Sequence, residues 1–217
     1  MKKNVYCLID TETAKMSDVY DLGVLIFDKK GNILFTRNYL NTDVFYNDEL
    51  MENAYYNYKK PLYEKDCNLV YTNTKFMLHD FYKVRNNFNV THILGYNLSF
   101  DLNALNKTSE KFTGKSFNLN NYKLTDVMRV AIETILMTEK YKDFCRKNNE
   151  ITEKGNYKSS AETVYRYIND NIDFVENHTA LSDCYCEYSI FMKCLKQKKN
   201  VSIGTKSNLW KLIQDTK

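Results

Sequence analysis

The sequence predicts an α/β fold built on a mixed sheet. Three observations point there. Three strand-like segments fall within the first forty residues, a further short apolar run stands at Ile93–Tyr96, and segments of helical period surround that run and continue to about residue 196. Strands first, then a strand alternating with helices, is the order of a layered α/β domain rather than of an all-β sandwich or a helical bundle.

Each element has its own signal. Val5–Ile9 is an apolar run of strand length. Val19–Phe27 is a second, and Asp28-Lys29-Lys30-Gly31-Asn32 forms a turn into Ile33–Leu40, which completes a hairpin. Asp48-Glu49-Leu50-Met51 reads as a helix start with an acidic first turn, and Pro61 closes that segment. Thr74–Phe88 places Met77, Leu78, Phe81, Val84 and Phe88 at helical spacing. Ile93–Tyr96 is the buried strand. Ser99–Asn106, Thr125–Lys147, Ser159–Ile168 and Thr179–Lys196 read as helices, with Ser159 and Glu162 as a capping box. In the last helix Leu181, Tyr185, Tyr188, Met192 and Leu195 form an apolar stripe.

The 217 residues suit one domain, and with 43% hydrophobic and 27% charged residues the chain can bury a core. No linker or repeat divides it. Residues 1–200 are read as the functional domain and 201–217 as a tail or short helix. No apolar run approaches the ~20 residues of a membrane helix. The first apolar stretch ends at Asp10, too short for a secretory signal, so a cytoplasmic location is expected. The six cysteines show no C-x-x-C and no zinc spacing, which fits reduced, buried thiols. A formal charge of +4 neither requires nor excludes a nucleic-acid partner. The 26 Lys, 26 Asn and 18 Tyr reflect codon bias as much as selection.

Three acidic motifs carry the chemistry. Asp10 and Glu12 stand where the first strand ends, and residues two apart in a strand share a face. Two carboxylates so placed repel unless one takes a proton or a cation neutralises them. Taken alone, the pair is better explained as a polar strand end facing solvent. Asp101 follows the buried strand in Asn97-Leu98-Ser99-Phe100-Asp101, in the first turn of a helix, where it also complements the helix dipole. His178 precedes or opens the last helix and Asp183 lies about one turn along it. His79 and His92 have no partner motif and read as structural.

In this order and these settings, the motifs resemble those of the DEDDh 3′-to-5′ exonucleases, the family of the proofreading subunit of bacterial DNA polymerase III, RNase T and oligoribonuclease. Leu8-Ile9-Asp10-Thr11-Glu12-Thr13, Asp21-Leu22-Gly23, Asn97-x-x-Phe100-Asp101 and His178-x-x-x-x-Asp183 carry the resemblance, which spans residues 4 to 196. The tract from Asp48 through Ala54-Tyr55-Tyr56 to Asp173-Phe174-Val175-Glu176 also looks like stand-alone exonucleases of phages of low-GC Gram-positive bacteria.

The resemblance implies a ribonuclease-H-like fold, with a five-stranded mixed sheet flanked by helices and the hairpin strand antiparallel. It places a short last strand near Asn118–Leu124, followed by Asp126 at a helix start, where a cap is the simpler role than a ligand. It implies that Asp10, Glu12, Asp101 and Asp183 hold two divalent cations, magnesium by default with manganese as a substitute, and that His178 is the general base. Thr13, Ala14, Asn97 and Phe100 would meet the terminal nucleotide. The implied partner is the 3′ end of single-stranded DNA or RNA, DNA favoured, with no membrane partner. RNA trimming is an alternative, as is a non-catalytic binding module on the same fold. Proofreading would require a polymerase in trans, and the family includes both monomers and homodimers. Tyr55, Tyr56 and Tyr58 and the basic run Lys193–Lys199 are open between substrate contact and ordinary surface.

Overall fold

The computed structural model describes residues 4–14, 17–52, 54–55, 57–63, 69–119, 121–198 and 204–205. In chain order these form β1 (Val5–Thr13), β2 (Val19–Asp28), β3 (Ile33–Asn41), α1 (Thr42–Phe45), α2 (Asp48–Met51), a 3-10 turn (Asn57–Lys59) and α3 (Lys60–Tyr63). Then come β4 (Val70–Thr72), α4 (Thr74–Asn87), β5 (His92–Gly95), α5 (Leu98–Thr113), β6 (Lys123–Asp126) and α6 (Val127–Ala131). A π-helical turn (Ile132–Leu136), α7 (Glu139–Lys147), α8 (Ala161–Asn169) and α9 (Ala180–Gln197) complete the order.

The sheet runs β4-β3-β2-β1-β5-β6. β2 is antiparallel to its neighbours β1 and β3, while β1–β5, β5–β6 and β3–β4 pair in parallel. The mixed sheet with one reversed strand is the fold the sequence predicts, with six strands among the described residues where five were expected. The addition is β4, whose three residues pair beside Tyr39–Asn41 at the sheet edge. The last strand also starts later than 118–124, at Lys123, because its partners across the ladder are His92 to Gly95. Gly204 then bridges to Thr125 outside β6. The rest of the 201–217 tail, apart from residue 205, lies outside the described residues.

Alternation in the strands divides the core in two. Tyr6 and Leu8 of β1 face one side with Leu25 and Phe27, and meet α6, α7, α8 and α9 through Val130, Tyr141, Val164 and Phe191. Cys7 and Ile9 face the other side with Leu22, Val24 and Ile26, and meet α4 and α5 through Met77, Phe81 and Leu105. A third cluster around Val44, Phe45, Met51 and Tyr63 seats the segment between β3 and β4.

Several boundaries differ from expectation for local reasons. Pro61 lies inside α3 rather than ending a helix, at a first-turn position where its missing N–H costs nothing. The expected helix Thr125–Lys147 divides into β6, α6, the π turn and α7, because Asp126 caps α6 and Thr138 caps α7. The cap of α8 is Ser160, not Ser159, and it accepts from Thr163 N–H. The buried face of α9 is Ala180, Asp183, Cys184, Glu187, Ile190, Phe191 and Cys194, and Tyr185 of the expected stripe points to solvent.

Gly23 decides how closely α9 approaches the sheet. A Cβ at this position would lie 2.4 Å from the carbonyl carbon and oxygen of Ala180 and 2.6 Å from the Leu181 nitrogen, all backbone atoms that cannot rotate away. Gly23→Ala should therefore lower stability by about 3 kcal/mol, since relief requires lifting the helix. Urea denaturation checks this; a midpoint within error of wild type would mean that α9 does not sit on β2 at this point.

Candidate active site

Asp10 and Glu12 lie within β1, on the face that looks toward α9, because even-numbered residues of this strand face that side. Across the β1–β2 ladder their partners are Gly23 and Asp21. The glycine leaves room for α9, and Asp21 receives it: the Ala180 N–H donates to Asp21 Oδ2 at 2.9 Å. The helix start is thereby pinned to the sheet. Asp183, in the first turn of α9, is brought over β1, and its carboxylate accepts from the His178 backbone N–H.

Asp101 arrives from the opposite layer. β5 ends at Gly95, and the backbone turns through Asn97, which adopts a left-handed conformation (φ 62°) ahead of α5. Thr11 points toward α5, and its N–H and hydroxyl both donate to Asp101 Oδ1, at 3.0 and 2.8 Å. One oxygen of Asp101 is thus fixed by β1 itself. Asp126 Oδ1 accepts from Asn97 N–H at 3.1 Å and from Met128 N–H at 2.9 Å, which is the capping role read from the sequence.

His178 sits just before α9 with φ 50°, half-buried, and its Nδ1 lies 3.8 Å from both Asp183 Oδ2 and Glu176 Oε2. Glu12, His178 and Asp183 each offer one ligand atom within a 4.8 Å group. A second such group joins Glu162, Glu176 and His178. Neither contains Asp10 or Asp101, which are tied to the cluster electrostatically.

The acids are crowded. Burial, then Glu187, Asp101, Asp183 and Glu12, push the Asp10 carboxyl well above its ordinary range. Glu12 is raised to about 9 by burial and the Asp183 charge, Asp101 to about 7 and Asp183 to about 6 by burial. Burial lowers His178, and the nearby Lys59 ammonium adds to that effect. Among oxygen-rich side chains this close, the proton and a hard divalent cation are the two ways to remove repulsion. The donor set thus fits magnesium or manganese: carboxylates from both helix layers and the strand between them, one held by Thr11 so that its other oxygen is left to ligate.

Phe100 is exposed beside Asp101, Asn97 is exposed at the turn, and Thr13 ends β1 half-buried. Ala14 is buried in the cluster around Phe45. Tyr55 and Tyr58 are exposed, and Tyr56 lies outside the described residues. His92 is buried against the Tyr6 ring and His79 is exposed.

Four further groups border the site, and the sequence reading gives none of them a role there. Glu187, four residues after Asp183 and so on the same helix face, accepts from Tyr96 N–H at 3.0 Å and lies near Asp10. Glu176 precedes His178 by two and is raised to about 8, first by burial and then by Asp183. Asp21 anchors α9, and Lys59 reaches in from the β3–β4 segment. Spacing alone marked Glu187; nothing in the sequence marked Lys59.

No family model matches this sequence, and no curated protein matches it. Solved structures do. Exonuclease I of E. coli, bound to a 5cy-dT13 oligonucleotide, superposes with TM-score 0.56 and 11% identity over 91% of this chain and 41% of its own. Exonuclease I in complex with the inhibitor BCBP gives 0.52 and 11% over 92% and 42%. Cell-death related nuclease 4 gives 0.54 and 9% over 92% and 66%. The chain thus spans about two fifths of Exonuclease I and just under two thirds of the other nuclease. At these identities the likeness is one of fold, and the architecture of this chain is the ribonuclease-H-like α/β fold of these nucleases.

Proposed function

We propose that the chain is a metal-dependent 3′-to-5′ exonuclease that hydrolyses single-stranded nucleic acid, DNA favoured, to 5′-mononucleotides. One observation carries the reading: Glu12 of β1 and Asp183 of α9 gather with His178 in one group, its Nδ1 3.8 Å from Asp183, while Asp10 is coupled electrostatically to Glu12, Asp183 and Asp101 of α5. Asp10, Glu12 and Asp183 would hold one magnesium or manganese ion, and Asp10 with Asp101 a second. Bound there, such a pair would supply the positive charge that in-line phosphodiester displacement demands. His178 takes the proton of the attacking water on its imidazole. Burial keeps that imidazole neutral, and so able to accept, at neutral pH. Asp183 and Glu176 orient the ring. Phe100, exposed at the mouth of the site, packs on the terminal sugar or base, with Asn97, Thr13 and the backbone at Ala14 beside it. The fold shared with nucleases supports the reading.

The test uses single strands of DNA and RNA labelled at the 5′ end, with magnesium or manganese. A ladder shortening by one nucleotide at a time is expected, faster on DNA. Strands left intact with both metals would remove the proposal, and a faster RNA ladder would replace DNA as the favoured substrate.

A further inference from the structure

We propose that the segment between β3 and β4 clamps the loop that carries His178, and that Lys59 is the positioning residue through which the clamp acts. This rests on the exonuclease reading. Lys59 ends the 3-10 turn, and its ammonium donates to the carbonyl of Asn177, across 118 positions of sequence. That carbonyl belongs to the peptide joining Asn177 to His178. His178 has a positive φ, a region in which residues other than glycine persist only where the surroundings over-determine the backbone.

Both flanks of His178 are held. Upstream, Lys59 fixes the carbonyl. Downstream, Thr179 and Ser182 close a capping box, and Ala180 N–H donates to Asp21 Oδ2. The same Asp21 oxygen accepts from the Tyr63 hydroxyl at 2.7 Å. Lys59 and Tyr63 are therefore two grips of one segment on the junction between loop and helix. The segment has a footing of its own, with Asn41 and Asn47 capping α1 and α2 and the Phe45 cluster beneath.

The grip at Asn177 uses a cation for a physical reason. Lys59 is only 8% exposed, and an ammonium so buried is stable only beside opposite charge. Burial disfavours its charge, and the carboxylates that act against burial are, when ionised, those of Glu12, Asp183 and Glu176. The ammonium thus links the acidic cluster to the backbone of the base loop, so that His178 and the carboxylates keep one relative placement.

The decisive experiment is a double-mutant cycle on a labelled single strand with saturating magnesium, using wild type, Lys59→Met, His178→Ala and the double variant. Lys59→Met should lower kcat about tenfold to a hundredfold with KM within about threefold, and Lys59→Arg should recover most of the loss. The double variant should be no slower than His178→Ala alone, because a residue acting through His178 then has nothing to act on. Losses that multiply, or a wild-type kcat in Lys59→Met, overturn the proposal. Thermal melts establish that each variant folds, and Lys59→Gln replaces Lys59→Met if that variant does not. Amide hydrogen exchange gives a readout independent of activity. Exchange at His178 and Ala180 should quicken in Lys59→Met and in Tyr63→Phe while β1 is unchanged. If wild type cleaves nothing, the exonuclease reading falls and exchange still decides the clamp; unchanged exchange overturns the clamp even in an active enzyme.

Discussion

Asp10→Asn should abolish nearly all strand cleavage while making the metal-free protein more stable. Asp10 is crowded by its neighbours, with Glu187, Asp101, Asp183 and Glu12 all raising it after burial. An amide has almost the same shape and no charge, so it removes one member of a mutually repelling group without opening a cavity. The same exchange removes the oxygen proposed to serve both cations. A loss of about a thousandfold, ~4 kcal/mol of barrier, is the expected scale. Two measurements check this, the rate of nucleotide release and the melting temperature in chelator. A variant keeping more than a tenth of wild-type activity would take Asp10 out of the site. A lower melting temperature would show that its carboxylate is held by partners rather than crowded by acids.

Metal-free stability should fall as pH rises, and divalent cation should restore it. In the folded chain Asp183 takes up its proton near 6, Asp101 near 7, Glu176 near 8 and Glu12 near 9, all above ordinary carboxylates. The unfolded chain releases these protons near pH 4. Between about pH 4 and 9 the folded state therefore holds more protons, and stability decreases with rising pH. A bound cation takes the place of those protons. Magnesium or manganese should then raise the melting temperature more at pH 8 than at pH 5.5. Melts across this range, with chelator or with metal, decide the matter. A metal-free curve that is flat or rises with pH would mean that the carboxylates do not share one site.

Much of this architecture was legible in the residues, and what was not has physical causes. The hairpin of β2 and β3 could be read because its turn residues, Asp28 to Asn32, have one obvious use. β4 could not, because three residues with only a lateral partner leave no periodic trace. The face of α9 was misread for a more telling reason. Its inward side carries Asp183 and Glu187, and a stripe sought among apolar residues alone shifts toward Tyr185. The motif acids and His178 were visible as spaced pairs along the chain. Lys59 was not, and Asp21 was legible within its motif but not as an anchor, since the contacts of each with the α9 junction exist only once distant segments meet.

The position of β1 inside the sheet, with β2 and β5 on either side, bears on how such a site endures. The offset between Asp10 and Glu12 is two strand residues, about 6.6 Å of backbone rise, and it is set by bond lengths and pleat rather than by any neighbouring side chain. A core can exchange nearly all its residues without altering that interval. Chains sharing as little as 9% of their residues can therefore keep the same fold.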